Sequence, residues 1–295
     1  MFTVSLIASP AAANLDADLP GGLAARWGGD DPRWLAPGIA AEFDIATAPD
    51  DADQVWSDLQ TIGIDLAVQA LGGRRKRILI ADMDSTMIGQ ECIDELADMA
   101  GFGPRVAAIT TRAMNGELDF DQALTERVAL LRDLPEAVIA QVLAERITMA
   151  PGGAQLVATM RAHGAYTALV SGGFTAFTQA VAAHLGFDEH RANTLLAQDG
   201  RLTGHVALPI LGREAKVDAL TQIAARLGTT PQNAIAVGDG ANDLGMIQLA
   251  GAGVALHAKP TVAAQAQIRI NHGDLTALLY LQGYGQDDFV TPPAP

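Results

Sequence analysis

Short apolar runs alternate with helical patterns along most of the chain after residue 77. Four of these runs are apolar on both faces and lead into polar or glycine-rich residues and then a helical stretch. They are Ile78–Ala81, Tyr166–Val170, Ala234–Val237 and Val254–Leu256. Buried parallel strands joined by helices have this pattern. It predicts an α/β protein with a Rossmann-like parallel sheet, in which ligands bind beyond the carboxyl ends of the strands.

One segment breaks the alternation, because residues 91–146 contain only helical patterns. Apolar residues at helical spacing begin at Ile93, and three further helices are predicted at Pro104–Met114, Asp119–Arg132 and Pro135–Arg146. This segment directly follows the first strand of the sheet. We therefore expect an all-helical cap, spanning about residues 89–148, over the ligand-binding edge.

Residues 1–72 differ in composition, since they are rich in Asp, Pro and Gly and contain all the tryptophans of the chain. Their pattern predicts strands at Phe2–Ala8, Ile39–Ala46 and Ile64–Gln69, and a helix at Asp51–Thr61. We interpret this region as a small α+β module. The basic run at residues 72–77 would link it to the main domain, residues 73–295.

The net charge narrows the classes of molecule that the protein could bind. The formal net charge is -15, and a strongly acidic surface repels nucleic acid phosphates and anionic lipids, so neither partner is expected. No apolar run is long enough to span a bilayer, and the apolar N-terminus lacks the basic residues of a signal peptide. Cys92 is the single cysteine. We predict that it is a small residue on a buried helix face rather than a nucleophile.

Carboxylates follow two of the predicted strands. Asp82 and Asp84 come directly after the first strand, and residues two apart on an extended chain project the same way. Asp239 and Asp243 follow the strand Ala234–Val237. Carboxylates crowded together need a cation or a proton between them. An all-oxygen set of this kind suits a hard cation such as Mg²⁺, whereas no histidines stand at the spacing of a zinc site.

Two further polar features point to an anion. A hydroxyl and free backbone N–H groups at a helix start, as in Ser171-Gly172-Gly173, form an anion site. Leu169 stands where a nucleophile elbow requires glycine, so Ser171 is predicted to bind phosphate rather than to attack. Lys216 lies near the start of a later helix. Each feature alone is also typical of an ordinary turn or a surface lysine.

The order of these motifs resembles the haloacid dehalogenase superfamily of phosphotransferases. The motifs are Asp-x-Asp-x-Thr, Ser-Gly-Gly, Lys and Gly-Asp-Gly-x-Asn-Asp. Within it, three segments are similar to the phosphoserine phosphatase family: Asp82–Ala97, Met114–Phe120 and Ala258–Pro260. The resemblance extends from about residue 76 to the C-terminal region. It implies an enzyme that hydrolyses phosphoserine in the last step of serine biosynthesis. That metabolic role, the missing targeting signal and the single cysteine together predict a cytoplasmic location.

The resemblance also implies a role for each matched residue of the main domain. Asp82 would attack phosphorus and form an aspartyl-phosphate, while Asp84 would protonate the leaving oxygen and then activate water. Mg²⁺ would be held by Asp82, Asp84 through its backbone carbonyl and Asp239, with Asp243 as a further ligand or as a support for the other ligands. The phosphate would be held by Ser171, Gly172, Lys216 and Asn242.

The cap supplies the expected substrate contacts. Arg127 falls on the apolar stripe of the third cap helix, and an inward-facing arginine needs an anionic partner. An internal ion pair with a cap carboxylate is one alternative. The resemblance implies instead that Arg127 binds the substrate carboxylate, that Glu91 receives its amino group, and that Met114 and Phe120 close over the substrate.

Two other functions stay open. One is a different small-molecule phosphatase or phosphotransferase of the superfamily, for instance one that moves phosphate from phosphoserine to homoserine. The other is a non-enzymatic regulatory binder, because residues 1–72 weakly resemble the amino-acid-binding ACT domains of some phosphoserine phosphatases. That module is also a candidate surface for a homodimer. The presence of Asp82, Asp84 and Asp239 favours an enzyme.

Overall fold

Two sheets organise the chain, which the computed structural model describes over residues 1–114 and 117–291, without the side chain of Met114. A four-stranded antiparallel sheet lies in the N-terminal module, and a six-stranded parallel sheet forms the main domain. The predicted α/β fold with a separate N-terminal module is confirmed.

The N-terminal module packs two helices against one face of its sheet, which has the order β2-β3-β1-β4. The elements are β1 (Phe2–Ala8), α1 (Leu19–Trp27), β2 (Arg33–Ala36), β3 (Ala40–Ile45), α2 (Ala52–Gln60) and β4 (Ile64–Ala70). Leu6 and Phe43 belong to the module's own apolar cluster, whereas Ile7, on the opposite face, belongs to that of the main domain. The alternation of a strand with two buried faces explains this division.

Polar groups tie the module to the main domain. Asp65 of β4 is fully buried, and its carboxylate accepts backbone N–H groups of Asn271, His272 and Gly273 at 2.9, 3.0 and 2.8 Å. Arg74 donates from Nε to the carbonyl of Leu281 at 3.1 Å. The module is therefore packed on the main domain through both apolar and charged contacts.

The first strand of the main domain is β5 (Ile78–Ala81), which is buried along its whole length. A helical cap follows it, made of α3 (Cys92–Met99), α4 (Gly103–Met114), α5 (Phe120–Ala129) and α6 (Ala137–Glu145). The two chain segments that connect cap and core pair at Ile88 and Met149. The all-helical insertion predicted after the first strand is confirmed.

The sheet of the main domain has the order β12-β11-β10-β5-β6-β7, and every neighbouring pair of its strands is parallel. Further helices and strands of the domain follow the cap along the chain. They are α7 (Gly153–Ala162), β6 (Tyr166–Phe174), α8 (Thr175–Leu185), β7 (Glu189–Asn193), β8 (Leu195–Gln198), β9 (Arg201–Val206), α9 (Arg213–Arg226), β10 (Ala234–Gly238), α10 (Leu244–Leu249), β11 (Ala252–Leu256), α11 (Pro260–Ala263), β12 (Ile268–Ile270) and α12 (Ala277–Leu281). The central position of β5 places its carboxyl end in the middle of the ligand-binding edge.

A small hairpin of β8 and β9 leaves the sheet and reaches the cap. The backbone N–H of Asp133, in the cap, donates to the carbonyl of Leu202 at 2.8 Å, and Pro135 pairs with Arg201. The cap is thus supported by the core at a point remote from its two connections. Within the described ranges, every helix is too short or too polar to cross a bilayer.

Candidate active site

The carboxyl ends of three neighbouring strands bring the predicted polar residues together. Asp82 and Asp84 follow β5, Asp239 follows β10, and Ser171 lies near the end of β6. The backbone N–H of Asp82 donates to the carbonyl of Val237 at 3.0 Å, which continues the pairing of β5 with β10. These side chains line a cavity of about 470 Å³ that also has residues of the cap in its walls.

Lys216 is a buried cation between two carboxylates. It is 1% exposed, and its Nζ lies 2.6 Å from Oδ1 of Asp82 and 2.5 Å from Oδ1 of Asp243. Burial alone would lower the pKa of Lys216, but Asp243 and Asp82 together raise it above its ordinary value. The side chain is therefore an ammonium that offsets part of the negative charge at the strand ends.

Three carboxylates at this edge could hold a metal ion. One oxygen from each of Asp82, Asp239 and Asp243 lies within 4.8 Å of the others. Burial raises the pKa of Asp82 well above its usual range, and Asp243 adds to this while Lys216 opposes it. Burial, with the charge of Asp243, raises the pKa of Asp239 to about 6. A divalent cation would relieve this crowding, and an oxygen-only donor set fits a hard cation.

Glycines and hydroxyls shape the loop that carries Asp239 and Asp243. The backbone N–H of Gly240 donates to Oδ2 of Asp243 at 2.9 Å, and Thr86 donates to Oδ1 of Asp239 at 3.1 Å. A Cβ at Gly238 would overlap the carboxylate of Asp243. Glycine at this position therefore allows the buried carboxylate to fold back beneath the strand end.

Asp84 lies where a proton could be exchanged with the cavity. Its Oδ1 accepts the backbone N–H of Cys92 at 3.1 Å, and the Ser171 hydroxyl lies 3.4 Å from its Oδ2. Burial, followed by the charge of Glu91, raises the pKa of Asp84 to about 6. A carboxyl group that titrates near neutral pH is suited to both donating and accepting a proton. Cys92 itself is buried, as predicted.

The cap wall of the cavity carries charges of both signs. Glu91 accepts a hydrogen bond from the Ser85 hydroxyl at 2.8 Å, and Arg127 donates from Nε to the carbonyl of Ala123 at 3.2 Å. Burial lowers the pKa of Arg127, while the charges of Asp94 and Glu91 oppose that change. Because Glu91 and Arg127 both line the cavity, this wall presents an anion and a cation to a ligand.

The cap touches the strand ends of the core through Phe120. Its ring lies over the backbone of Gly172 and Gly212, where added Cβ atoms would lie 3.0 and 3.1 Å from ring carbons. Phe120 is the first residue of α5, which Asp119 and Gln122 stabilise with reciprocal side-chain to backbone bonds. The helix start therefore fixes the position of the aromatic ring.

Most predicted site residues line this one cavity, although their roles stay predictions. Those that line it are Asp82, Asp84, Glu91, Phe120, Arg127, Ser171, Gly172, Asp239 and Asn242. Lys216 and Asp243 lie behind its wall, where Lys216 contacts both Asp82 and Asp243. The side chain of Met114, which was predicted to contact the substrate, lies outside the described residues.

Sequence reasoning missed several polar residues of the site. Asp94, Thr110 and Lys259 line the cavity, and Asn193 supports it from below. Asp94 lies three residues after Glu91, so helical spacing could have found it. Lys259 lies within the Ala258–Pro260 segment that carried the resemblance, but it received no role. Asn193 gave no signal, because its partners are far away in the sequence.

Comparison with known proteins defines the class. The model of the family described as haloacid dehalogenase-like hydrolase matches residues 79–248, which is more than half of the chain. The chain belongs to this family. The Rossmann-like sheet, the cap and the carboxylates at the strand ends agree with that assignment.

Within this family, the chain is similar to proteins named as phosphoserine phosphatases. Phosphoserine phosphatase of Streptomyces coelicolor is 42% identical over 85% of this chain and 62% of its own length, and that of Haemophilus influenzae is 46% identical over 69% and 65%. A crystal structure of a probable phosphoserine phosphatase from Vibrio cholerae matches with a TM-score of 0.77 at 33% identity, covering 97% of this chain and 88% of that one. The chain thus spans less than two thirds of the length of the two curated relatives.

Proposed function

We propose that this protein hydrolyses O-phosphoserine to serine and inorganic phosphate in the presence of Mg²⁺. The observation that carries the proposal is the division of the cavity into two ends. The strand ends offer Asp82 beside the buried Lys216, and the cap offers Arg127 and Glu91. Phosphoserine has the complementary division, with a phosphate at one end and a carboxylate and an ammonium at the other. The names of the relatives support the same substrate.

The reaction would proceed in two steps through a covalent intermediate on Asp82. An Asp82 oxygen attacks phosphorus and the bond from phosphorus to the seryl oxygen breaks, while Asp84 gives its proton to that oxygen. Asp84, now ionised, then takes a proton from water, which attacks the aspartyl-phosphate and releases phosphate. The pKa of Asp84, raised by burial to about 6, suits both transfers.

Other residues would hold the phosphate and the metal. Ser171, Gly172, Asn242 and the ammonium of Lys216 would stabilise the charge on the transferring phosphoryl group. Mg²⁺, held by the carboxylates of Asp82, Asp239 and Asp243 and the backbone carbonyl of Asp84, would offset the repulsion between the anionic nucleophile and the phosphate. The crowding of these carboxylates supports such a cation.

The substrate is a small molecule in this proposal. A cytoplasmic location and a homodimer through the N-terminal module stay predictions. We infer that the cap, rather than that module, selects the substrate, because Arg127 and Glu91 belong to the cap segment and line the cavity.

Phosphate release from phospho-L-serine, with Mg²⁺ and with EDTA, tests the proposal. We expect metal-dependent turnover that Asp82→Asn reduces by about 10³-fold or more, because the amide is a poor nucleophile. Adding homoserine and looking for phosphohomoserine separates hydrolysis from transfer. Absence of turnover by folded, Mg²⁺-loaded protein would rule out phosphoserine as the substrate, and stoichiometric serine binding without turnover would indicate a binder.

Arg127 provides a test of how the substrate is selected. Phosphoethanolamine has the phosphate and the ammonium of phosphoserine but no carboxylate. We expect Arg127→Ala to raise KM for phosphoserine about 30-fold or more, since removal of one partner of a buried charge pair costs about 2–5 kcal/mol. KM for phosphoethanolamine should change much less. Arg112→Ala, in the exposed Arg112–Glu126 ion pair, is the matched control; equal losses on both substrates would contradict the assigned contact.

A further inference from the structure

Two glycines of the core form a flat surface beneath one aromatic residue of the cap. A Cβ at Gly172 would lie 3.0 Å from Cζ of Phe120, and one at Gly212 would lie 3.1 Å from its Cδ1. The two glycines are 40 residues apart in the chain, one at the end of β6 and the other just before α9. Their backbones therefore meet under the ring only because tertiary structure brings the two loops together.

Asn193 joins these two loops. Its side chain is 2% exposed, and Nδ2 donates to the carbonyl of Gly172 at 2.9 Å and to that of Leu211 at 3.2 Å. Its Oδ1 accepts the backbone N–H of Leu211 at 2.7 Å. Both ends of the buried amide are thus bonded to backbone, which fixes the orientation of the side chain.

The same two loops carry residues of the proposed phosphate site. Gly172 follows Ser171, and Gly212 precedes α9, the helix that contains Lys216. Gly212 has φ of -102°, which lies outside the left-handed region that favours glycine. The three atoms nearest to a Cβ at Gly212, apart from its chain neighbours, belong to Phe120 and Asp121 of the cap. Alanine at this position would therefore act mainly on the cap.

We propose that Gly172, Gly212 and Asn193 form a docking seat for Phe120, which couples closure of the cap to the geometry of the phosphate loops. Asn193 is a positioning residue, because its side-chain hydrogen bonds in the described chain go to the two loops, through which it acts. This inference rests on the proposed function, since closure over a small phosphomonoester is what the seat would serve. A cap that docks only when both loops are in place would shield the reacting groups from water.

A double-mutant cycle tests the seat. The readout is the ratio of kcat/KM for phosphoserine to kcat/KM for p-nitrophenyl phosphate, which has no group for Arg127 or Glu91. We expect Gly212→Ala to lower this ratio about tenfold in the wild-type background and less than about twofold in a Phe120→Ala background. Gly72→Ala, at a glycine with no neighbour near its Cβ, is the matched control. An equal effect of Gly212→Ala in both backgrounds would overturn the proposal.

Asn193→Asp tests the positioning role. The aspartate keeps the acceptor for Leu211 but places an oxygen against the carbonyls of Gly172 and Leu211. We expect kcat to fall for both substrates by about tenfold or more, because the phosphate loop moves. Asn193→Gln, which retains donor and acceptor, should recover part of the loss. A fall in thermal stability with both kcat values unchanged would mean that Asn193 is merely structural.

Hydrogen exchange of residues 120–129 separates this inference from the proposed function, because it needs no substrate. We expect the backbone amides of α5 to exchange several-fold faster in Gly212→Ala and Asn193→Asp than in the wild-type and Gly72→Ala proteins. Unchanged exchange in both variants would overturn the seat, whatever the substrate is. Faster exchange in a protein that does not hydrolyse phosphoserine would support the seat and reject the substrate.

Discussion

Two buried carboxylates in this protein have opposite surroundings. Asp65, which joins the N-terminal module to the main domain, accepts three backbone N–H groups and faces no other carboxylate among its hydrogen-bond partners in the described chain. Asp82, at the centre of the parallel sheet, has Asp239 and Asp243 close by and shares a single ammonium with Asp243. Backbone donors satisfy the carboxylate of Asp65, whereas the carboxylate of Asp82 has excess negative charge around it.

Burial of an acid group does not by itself indicate function. Backbone donors around Asp65 compensate its desolvation, so its burial stabilises the contact between the two sheets. The carboxylates around Asp82 repel one another, and the fold tolerates this only where a ligand or cation is gained in return. A residue whose burial destabilises the folded state is the stronger candidate for a role in catalysis or binding.

Lys216→Met should give the largest effect, because it removes the buried cation that the active-site carboxylates share. Removing one partner from a buried ion pair typically costs about 3–5 kcal/mol of unfolding free energy. We expect a loss of that size in urea denaturation of the metal-free protein, with phosphatase activity lost as well. Mg²⁺ should restore part of the stability, because it binds the folded state alone.

Lys76→Met is the matched control for that substitution. Lys76 is half-buried, and its ammonium bonds only to the carbonyl of Gln232 in the described chain, so we expect a loss of about 1 kcal/mol or less. Equal losses for the two lysines would show that the carboxylates at the strand ends are not mutually destabilising. The proposed difference between the surroundings of Asp65 and those of Asp82 would then be wrong.

Sequence patterns predicted the elements whose residues are buried in a regular way. β5, β10 and β11 are short apolar runs that any parallel sheet would bury, and the cap helices follow a clear period. β7 was missed because Glu189, His190 and Arg191 give it a polar composition. In the N-terminal module, α1 was missed because the Pro20-Gly21-Gly22 run interrupts the apolar period, and its buried face becomes evident only against β3.

The site was predictable to the extent that its residues follow strand ends in the sequence. Asp82, Asp84 and Asp239 could be placed together by the rule that parallel strands end at one edge. Asp65 and Asn193 could not, because each is defined by bonds to backbone that only the folded chain brings near. Both are polar residues within strands, and nothing around them in the sequence distinguishes them from solvent-exposed positions.

Asp65→Asn should lower stability while activity is retained, whereas Lys216→Met should lower both. The asparagine amide loses the charge and turns an NH₂ group towards backbone donors. Hydrogen bonds to charged groups contribute about 1.5–3 kcal/mol each, so we expect unfolding free energy to fall by about 2–3 kcal/mol. kcat should stay within about twofold of the wild-type value.

Asp53→Asn is the matched control, because Asp53 is 98% exposed and pairs with Arg269 only at the surface. Its effect on stability should stay below about 1 kcal/mol. A large fall in kcat for Asp65→Asn, at unchanged stability, would mean that the junction between the two sheets acts on the active site. The two carboxylates would then belong to one functional network.

The smallest expected effect is on the pH dependence of stability, which compares the two regions most directly. Burial and Glu91 raise the pKa of Asp84 to about 6, so in the metal-free protein the folded state retains a proton that the unfolded state has released. The proton on Asp84 therefore stabilises the folded state at low pH, and this contribution is lost as pH rises through the pKa of Asp84. Since one pKa unit corresponds to about 1.4 kcal/mol, Asp84 should account for a loss of about 1 kcal/mol between pH 5 and pH 7.

Urea denaturation in EDTA across this range, for wild-type and Asp84→Asn proteins, measures that loss as the difference between the two pH slopes. Asp65→Asn should leave the wild-type slope intact, because the active-site carboxylates remain. Excess Mg²⁺ should flatten the wild-type slope, since a bound cation favours the ionised carboxylates at the strand ends. Identical slopes for wild-type and Asp84→Asn would show that Asp84 is ionised throughout this range, and its assignment as the proton donor would have to be abandoned.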